Sequence, residues 1–264
     1  MPLREGTQSP HLPNVADVLA APTPAKPLSG WATTRWGLFA LLAWLAAEGG
    51  VLVTFLVRRL TLNPGVPLDA DAIGHDAFLI SLAAITAAAA QTAVVVVAIR
   101  RGSWPVANYL CLRRRPRVKE IVFWLICLAV ILAASDLLSR IIGHELVPPF
   151  MVKVYRSADD ASTIALLLLA ALVTAPIGEE ILFRGFVFRG WAASPLGVSG
   201  TVLLTSALWA MIHLQYDWFG IFQVFCLGLL FGVVRWRSGS TLLTILMHSA
   251  CNLVAVIETA MLVR

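Results

Sequence analysis

The sequence predicts an all-α polytopic membrane protein, built as a bundle of about seven transmembrane helices. Of its 264 residues, 59% are hydrophobic and only 13% are charged, whereas soluble domains carry roughly a quarter charged residues. The apolar residues form continuous runs, and about 20 such residues in a helix cross a hydrocarbon core of roughly 30 Å. Because the runs do not alternate polar with apolar residues, helices are favoured over barrel strands.

The chain divides into three regions. Residues 1–34 are rich in proline and lack the pattern of a secretory signal peptide, so a flexible cytoplasmic tail is expected. Residues 35–160 are predicted to form an N-terminal membrane region of three helices, and residues 161–264 a second membrane region of four helices. The seven predicted spans are, in order, Trp36–Val57, Ala77–Ile99, Ile121–Leu138, Thr163–Trp191, Val198–Leu214, Trp218–Val234 and Thr241–Val263.

The net charge of +5 is explained by membrane topology and not by nucleic-acid binding, because the basic residues cluster between the hydrophobic runs. Most of them fall in alternate loops, which include the N-terminal tail and the stretch "RRRPRVK". Basic loops favour the cytoplasmic side. We therefore predict a multi-pass protein of the cell (plasma) membrane, with a cytoplasmic N-terminus, an external C-terminus, the lipid bilayer as its surroundings and no nucleic-acid partner.

The second membrane region carries polar residues that are unusual in a lipid-facing helix. A charged side chain within a bilayer costs roughly 2.5–3.5 kcal/mol on insertion scales and usually faces a cavity or a partner. The residues concerned lie within "GEEILFRG", "WAMIH" and "HSACN", and they are Glu179, Glu180, Arg184, His213, His248 and Asn252. These six residues are the candidate site.

Spacing along the helices indicates how the polar residues divide their roles. Glu180 and Arg184 are four residues apart with the acid first, which is the favourable order for a helical ion pair. Glu179 lies about 100° around the helix from Glu180. Arg184 is therefore expected to neutralise Glu180 and to leave Glu179 free to react. His248 and Asn252 are also four residues apart and share one helix face.

The candidate residues lie at similar predicted depths. At about 1.5 Å per residue, Glu179 lies roughly 18 Å, His213 roughly 20 Å and His248 roughly 12 Å from the cytoplasmic ends of their helices. The three helices are therefore expected to form one site that opens toward the cytoplasm. Pro176 and Gly178, just before the acidic pair, predict a bend or an irregular stretch.

A carboxylate, two imidazoles and a carboxamide suit the activation of water, and two routes are open. In the first, Glu179 takes a proton from a water molecule that His213 orients. His248 and Asn252 then donate hydrogen bonds to the oxyanion that forms when an amide carbonyl is attacked. In the second, a divalent metal such as zinc activates the water, held by Glu179, His213, His248 and Asn252. The sequence alone does not favour the metal, because Asn is an uncommon zinc ligand and no HExxH motif occurs.

The order of these motifs resembles the CAAX protease and bacteriocin-processing (CPBP) family of intramembrane endopeptidases. The family pattern is EExxxR, then FxxxH, then Hxxx(N/D). It is matched by "EEILFR", "WAMIH" and "HSACN", and the resemblance covers residues 162–256. Trp209 stands where the family usually has Phe, and the expected consequence is altered packing beside His213 and no loss of chemistry.

The resemblance implies that residues 161–264 are a CPBP-like catalytic membrane domain. It implies Glu179 as the catalytic base, Glu180 and Arg184 as its support, and His213, His248 and Asn252 as the remaining catalytic residues. The family has been described both as metalloproteases and as metal-independent glutamic proteases. The glutamic mechanism, which requires no cofactor, is preferred here, and a divalent metal is the alternative. The implied substrate is a membrane-associated protein or peptide, with a prenylated CAAX-type protein as one candidate.

The alternative function is that of a non-enzymatic membrane protein, such as a bacteriocin-immunity binder or a transporter. A transporter more naturally shows two repeated halves with matched broken helices, and the sequence shows no such repeat. A binder would tolerate Glu179→Gln, which keeps the shape of the side chain and removes the base. An enzyme would lose cleavage with its fold intact.

Overall fold

A computed structural model describes residues 26–263, and within them every regular element is a helix. Six helices in this described part of the chain are long and apolar enough to cross a membrane, so the predicted fold class is confirmed. Residues 1–25, most of the predicted tail, lie outside this description. The helices are α1 (Gly30–Leu62), α2 (Ala70–Gly74), α3 (Ala77–Arg101), α4 (Val106–Tyr109), α5 (Val118–Ile142), α6 (Pro149–Ser157), α7 (Ala161–Ala192), α8 (Gly197–Met211), α9 (Trp218–Ser238) and α10 (Thr241–Val263).

The long helices α1, α3, α5, α7, α9 and α10 correspond to six of the predicted spans. The remaining prediction, Val198–Leu214, corresponds to α8, which has 15 residues. At 1.5 Å per residue α8 is roughly 22 Å long, which is shorter than a hydrocarbon core. A turn of residues 212–217 continues the chain from α8 to α9. α1 begins at Gly30, so the last residues of the segment predicted to be a tail are helical.

Local sequence signals explain where several helices begin and end. The Asp76 carboxylate accepts a hydrogen bond from the Leu79 backbone N–H over 2.8 Å at the start of α3, which satisfies one of the free donors at a helix N-terminus. At their C-terminal ends, α5 and α9 are followed by Gly143 and Gly239, which have φ angles of 71° and 65°. Glycine adopts this left-handed region without the steric cost of a Cβ, and it therefore ends both helices.

The bundle has a basic end, which we define by the connections 102–117, 193–196 and 239–240. Two of these connections contact each other directly, since Ser240 Oγ donates a hydrogen bond to the Arg114 carbonyl oxygen over 2.7 Å. The charge pattern predicts one membrane side for these loops, and they do lie at one end of the bundle. The side of the membrane that this end faces stays a prediction.

The opposite end of the bundle is formed by residues 63–76, 143–160 and 212–217, which include the short helices α2 and α6. Lys153 Nζ of α6 lies 2.8 Å from a carboxylate oxygen of Asp71 in α2. The hydrogen bond from Lys153 lowers the pKa of Asp71. α6 also packs against α3 and α10, and it therefore lies beside the space between those two helices.

α7 is the central helix, because it contacts α1, α3, α8, α9 and α10. Its close approach to α3 depends on Gly178. A Cβ atom at this position would lie 2.7 Å from Gln91 Nε2, 2.8 Å from Ala88 Cβ and 3.1 Å from Ala88 Cα. Backbone atoms cannot move aside as a flexible side chain does, so the close contact with α3 requires a glycine at position 178.

Gly178→Ala is expected to lower the free energy of unfolding by about 1–3 kcal/mol, because the added methyl group forces α3 and α7 apart. The matched control is Gly50→Ala in α1, where a Cβ meets no atom of residues 26–263 within 4 Å. That control is expected to leave the stability unchanged or to raise it, because alanine is the better helix former. Thermal unfolding of the two variants in the same detergent measures the difference, and equal stabilities would contradict the close contact.

Candidate active site

The middle of α7 is not a regular α-helix. Two π-helical stretches, Ala170–Thr174 and Ile181–Val187, flank the α-helical turn Ala175–Glu180. Pro176 has no backbone N–H to donate at this point, and widened π-turns often occur at functional sites. The irregular stretch that the sequence predicts is therefore present, and it sets the directions of the acidic side chains.

Glu180 and Arg184 form a buried ion pair. Both side chains are 0% exposed, and Arg184 Nη1 donates a hydrogen bond to Glu180 Oε1 over 2.9 Å. Arg184 Nη2 donates to the Gly228 carbonyl oxygen over 3.2 Å. The guanidinium carbon lies 4.5 Å from the centroid of the Trp209 ring. A charge buried without a partner is strongly unfavourable, so each of the two groups depends on the other.

His248 of α10 binds the same carboxylate. Its Nδ1 lies 3.1 Å from Glu180 Oε1, and only 4% of the residue is exposed. Because an ionised carboxylate only accepts hydrogen bonds, Nδ1 carries the proton, and Nε2 remains for a second partner. Glu180 therefore orients His248 in addition to pairing with Arg184.

Glu179 has no cationic partner among the side chains that the structure describes. Its Oε2 accepts a hydrogen bond from the indole Nε1 of Trp209 over 2.5 Å. Glu179 is half-buried, whereas Trp209 is only 3% exposed. The two adjacent carboxylates thus differ as their spacing predicts: Glu180 is paired with a cation, and Glu179 is held by a neutral donor.

His213 does not lie within a helix, although the sequence places it inside the predicted span Val198–Leu214. α8 ends at Met211 and His213 belongs to the turn that follows. Its Nδ1 lies 2.8 Å from the Trp209 carbonyl oxygen, which a continuing helix would bond to the backbone N–H of residue 213. The carbonyl accepts, so Nδ1 carries the proton and Nε2 is the acceptor of the neutral ring. The ring of Tyr216 stacks on it, with 5.9 Å between the centroids.

Asn252 links α10 to the first π-helical stretch of α7. Its Nδ2 donates a hydrogen bond to the Ala171 carbonyl oxygen over 2.8 Å. The sequence predicts this amide as a donor to an oxyanion, and one of its two N–H groups is already used. The second N–H and the amide oxygen remain for another partner.

Four of the six candidate side chains line one cavity of about 260 Å³, which we call the first cavity. They are Glu179, His213, His248 and Asn252, whereas Glu180 and Arg184 do not line it. The rest of the wall is mostly apolar and comes from α3, α6, α7 and α10. The structure therefore brings the predicted residues of three separate segments to one place.

The first cavity lies toward the opposite end of the bundle, and the predicted opening toward the basic loops is wrong. Its lining includes Ile80 near the start of α3, Tyr155 of α6 and Thr259 near the end of α10. Toward the basic end, large side chains such as Phe186 and Tyr109 are 0% exposed and fill the bundle. Helix depth alone does not indicate which half of a bundle is packed and which is open.

The side chains as placed do not fit a bound metal ion. Among residues 26–263, no group of three or more His, Cys, Asp or Glu side chains has the arrangement needed to hold one. The Nε2 atoms of His213 and His248 are available as ligands. Glu179 is bonded to Trp209 instead, and the amide of Asn252 is bonded to α7. The zinc alternative stays a hypothesis.

The hydrogen bond of Trp209 was not predicted from the sequence. The motif pattern predicts only altered packing at this position, whereas the indole N–H holds Glu179. The signal is that Trp, unlike Phe, carries a ring N–H donor. Tyr216 was also missed, and no spacing in the sequence indicates it. Burial raises the pKa of Tyr216 to about 12, so the phenol beside His213 stays protonated at neutral pH.

Comparison with known proteins gives two matches. Residues 161–254 match the family model described as type II CAAX prenyl endopeptidase Rce1-like. A curated protein of Escherichia coli, described as an uncharacterized 24.3 kDa protein, is 34% identical over 130 residues, which are 47% of this chain and 58% of that protein. The chain thus spans little more than half the length of this relative. No solved structure matches.

All six candidate side chains lie within the matched segment. The resemblance to the CPBP endopeptidases, which rests on the order of three short motifs, agrees with this match. The segment 161–254 therefore belongs to the Rce1-like family, and the family predicted from the motifs is confirmed.

Proposed function

We propose that this protein is an intramembrane endopeptidase that hydrolyses a peptide bond of a membrane-associated protein with water activated by Glu179. The family match supports a CAAX-type protease at the level of the family. One observation carries the proposal. Glu179 faces the first cavity with no cationic partner among residues 26–263, whereas Glu180 is neutralised by Arg184.

Glu179 acts as the general base. A water molecule oriented by Nε2 of His213 gives a proton to the Glu179 carboxylate while its oxygen attacks the carbonyl carbon of the scissile bond. Trp209 occupies Oε2, so Oε1 receives the proton. When the tetrahedral intermediate breaks down, the C–N bond is cleaved and the same proton passes to the leaving amine. One water molecule is consumed and Glu179 is regenerated.

The oxyanion of the intermediate is stabilised from α10. The second amide N–H of Asn252 is one donor, and the imidazole of His248 is another when its Nε2 is protonated. Glu180 accepts the Nδ1 hydrogen bond and holds the ring in its orientation. A single donor of this kind typically contributes a factor of about 10²–10³ to the rate.

The wall of the first cavity supports a membrane-associated substrate. Apolar side chains from α3, α6 and α7, such as Ile80, Phe150 and Leu167, surround the polar residues. An apolar wall binds an apolar segment by removing its surface from water. A prenylated CAAX-type C-terminus combines a scissile peptide with an apolar group. It is the substrate class that the family description supports best.

The test is cleavage by the purified protein in lipid nanodiscs. Two peptides of the same CAAX-type sequence, one farnesylated and one not, and a transmembrane peptide serve as substrates in water enriched in oxygen-18. We expect cleavage of the farnesylated peptide, with one labelled oxygen in the new carboxylate, and no loss of rate after treatment with a chelator. Metal analysis of the same sample accompanies the assay.

Each other outcome leads to a different conclusion. Stoichiometric zinc whose removal stops cleavage would establish the metal route in place of the glutamic one. Binding of the peptides without cleavage would favour a binder, and transport without cleavage a transporter. Cleavage of the transmembrane peptide alone would keep the endopeptidase and replace the substrate class.

Trp209→Phe is expected to lower kcat by about tenfold, because the hydrogen bond to Glu179 has a charged acceptor and contributes about 1.5–3 kcal/mol. The ring that packs on Arg184 is largely kept, so thermal stability is expected to change little. The matched control is Trp218→Phe at the start of α9, where the side chain is highly exposed. A wild-type kcat in Trp209→Phe would show that the indole N–H does not position the carboxylate.

A further inference from the structure

A second cavity, of about 160 Å³, adjoins the site from the other side of α10. It lies between α5, α9 and α10. Six residues line both cavities, and they are Met151, His213, Tyr216, His248, Asn252 and Ala255. The imidazoles of His213 and His248 therefore stand where the two cavities meet.

The second cavity has a more polar wall than its place between membrane helices leads one to expect. Four polar side chains that line it do not line the first cavity, and they are Ser135, Asp136, Gln223 and Glu258. They belong to three helices that are long and apolar enough to cross a membrane. Polar residues in such helices usually face one another or a space that holds water.

Protein atoms satisfy the hydrogen bonding of only some of these four polar side chains. Gln223 Nε2 donates to Ser135 Oγ over 2.7 Å, which ties α9 to α5. The carboxylates of Asp136 and Glu258 are half-buried, and no described protein group makes a hydrogen bond or an ion pair with them. A carboxylate at such a place needs water as its partner.

The second cavity also reaches a surface loop. Leu146 and Pro148, which lie between α5 and α6, belong to its lining, as does Gly220 at the start of α9. The ion pair between His144 Nε2 and Asp217, with 2.7 Å between the atoms and Asp217 59% exposed, lies at the same end of the bundle. A continuous line of cavity residues thus leads from this end to His213 and His248.

We propose that the second cavity is the path by which water reaches the site, separate from the first cavity that receives the substrate. Its purpose rests on the proposed function: each cleavage consumes one water molecule, and an apolar segment that fills the first cavity shuts off supply from that side. The polar wall from Ser135 to Glu258 provides hydrogen-bond partners along the way. The accessibility of the path to water does not depend on catalysis and is measured directly.

Cys251 supplies the probe, because it lines the second cavity and not the first. The variant Cys111→Ser/Cys127→Ala/Cys226→Ala keeps Cys251 as the one thiol. In nanodiscs it is treated with a small cationic methanethiosulfonate, and labelling is followed by mass spectrometry. The matched variant keeps only Cys226, which lines neither cavity. We expect Cys251 to react at least about tenfold faster than Cys226 when both are labelled at pH 9, because the reaction needs a thiolate and water in the second cavity would solvate the thiolate of Cys251.

Two substitutions then show through which cavity water and the reagent reach Cys251. Ser135→Leu narrows the second cavity and is expected to slow the labelling of Cys251 several-fold and to lower kcat with KM unchanged. Ala84→Leu narrows the first cavity and is expected to raise KM and leave the labelling unchanged. Ser135→Val replaces Ser135→Leu if the larger side chain prevents folding, which size-exclusion chromatography reports.

Two results would overturn the proposal. One is labelling of Cys251 as slow as that of Cys226, which would show a dry cavity. The other is equal slowing by Ser135→Leu and Ala84→Leu, which would show that the reagent and water enter through the first cavity. Labelling needs no substrate, so the water path is tested even if no peptide is cleaved. The proposed endopeptidase activity is tested separately, by the cleavage assay.

Discussion

Glu179→Gln is expected to lower the rate of peptide cleavage by about 10²–10⁴-fold, the contribution that a positioned general base typically makes. The amide has nearly the same shape and still accepts the hydrogen bond from Trp209, but it does not take a proton from water at neutral pH. KM and thermal stability are expected to stay close to those of the wild type, because Glu179 forms no ion pair with a described side chain.

Single-turnover cleavage in nanodiscs, with substrate binding measured on the same samples, separates loss of chemistry from loss of binding. Glu145→Gln, at an exposed position in the loop after α5, is the matched control and is expected to keep the wild-type rate. Cleavage at the wild-type rate by Glu179→Gln would place the base elsewhere. Loss of bound zinc together with activity would instead assign the carboxylate to a metal.

Arg184→Met is expected to lower the free energy of unfolding by about 3–5 kcal/mol, the usual cost of removing one member of a buried ion pair. The methionine fills much of the space but leaves the Glu180 carboxylate fully buried without its cation. The variant is expected to give little folded protein in detergent. Size-exclusion profiles and thermal unfolding measure the loss.

The double variant Glu180→Gln/Arg184→Met separates charge from packing. It removes both charges, so it is expected to recover a large part of the lost stability. Arg140→Met, at an exposed position in the last turn of α5, is the control and is expected to change stability by less than about 0.5 kcal/mol. A double variant no more stable than Arg184→Met would show that packing of the guanidinium, and not charge pairing, sets the effect.

The features of the site that follow from spacing within one helix were predicted from the sequence. The Glu180–Arg184 pair and the separate direction of Glu179 need only the geometry of a helical turn. The same holds for most of the fold, because continuous apolar runs define the long helices. α8 departs from its prediction because the His213 side chain binds the Trp209 carbonyl and ends the helix early.

Features that depend on contacts between distant segments were not predicted. The bond from Trp209 to Glu179 joins residues 30 positions apart, and no periodicity encodes it. The place of α6 beside the first cavity likewise follows from contacts such as Lys153 with Asp71. Because the place of α6 cannot be read from the sequence, charge pattern and predicted depth favoured the basic end of the bundle for the opening.

The irregular middle of α7 constrains the number of residues in this segment more strongly than it constrains their identity. Ile181, Leu182 and Phe183 separate Glu180 from Arg184 and are almost fully buried apolar side chains. Exchange for another apolar residue of similar volume costs less than about 1.5 kcal/mol. Removal or insertion of one residue instead rotates everything beyond it by about 100°, which separates the ion pair and turns a carboxylate out of the cavity. Related chains that keep this chemistry are therefore expected to vary in the identity of the residues between the acidic pair and the arginine, and to keep the number of those residues.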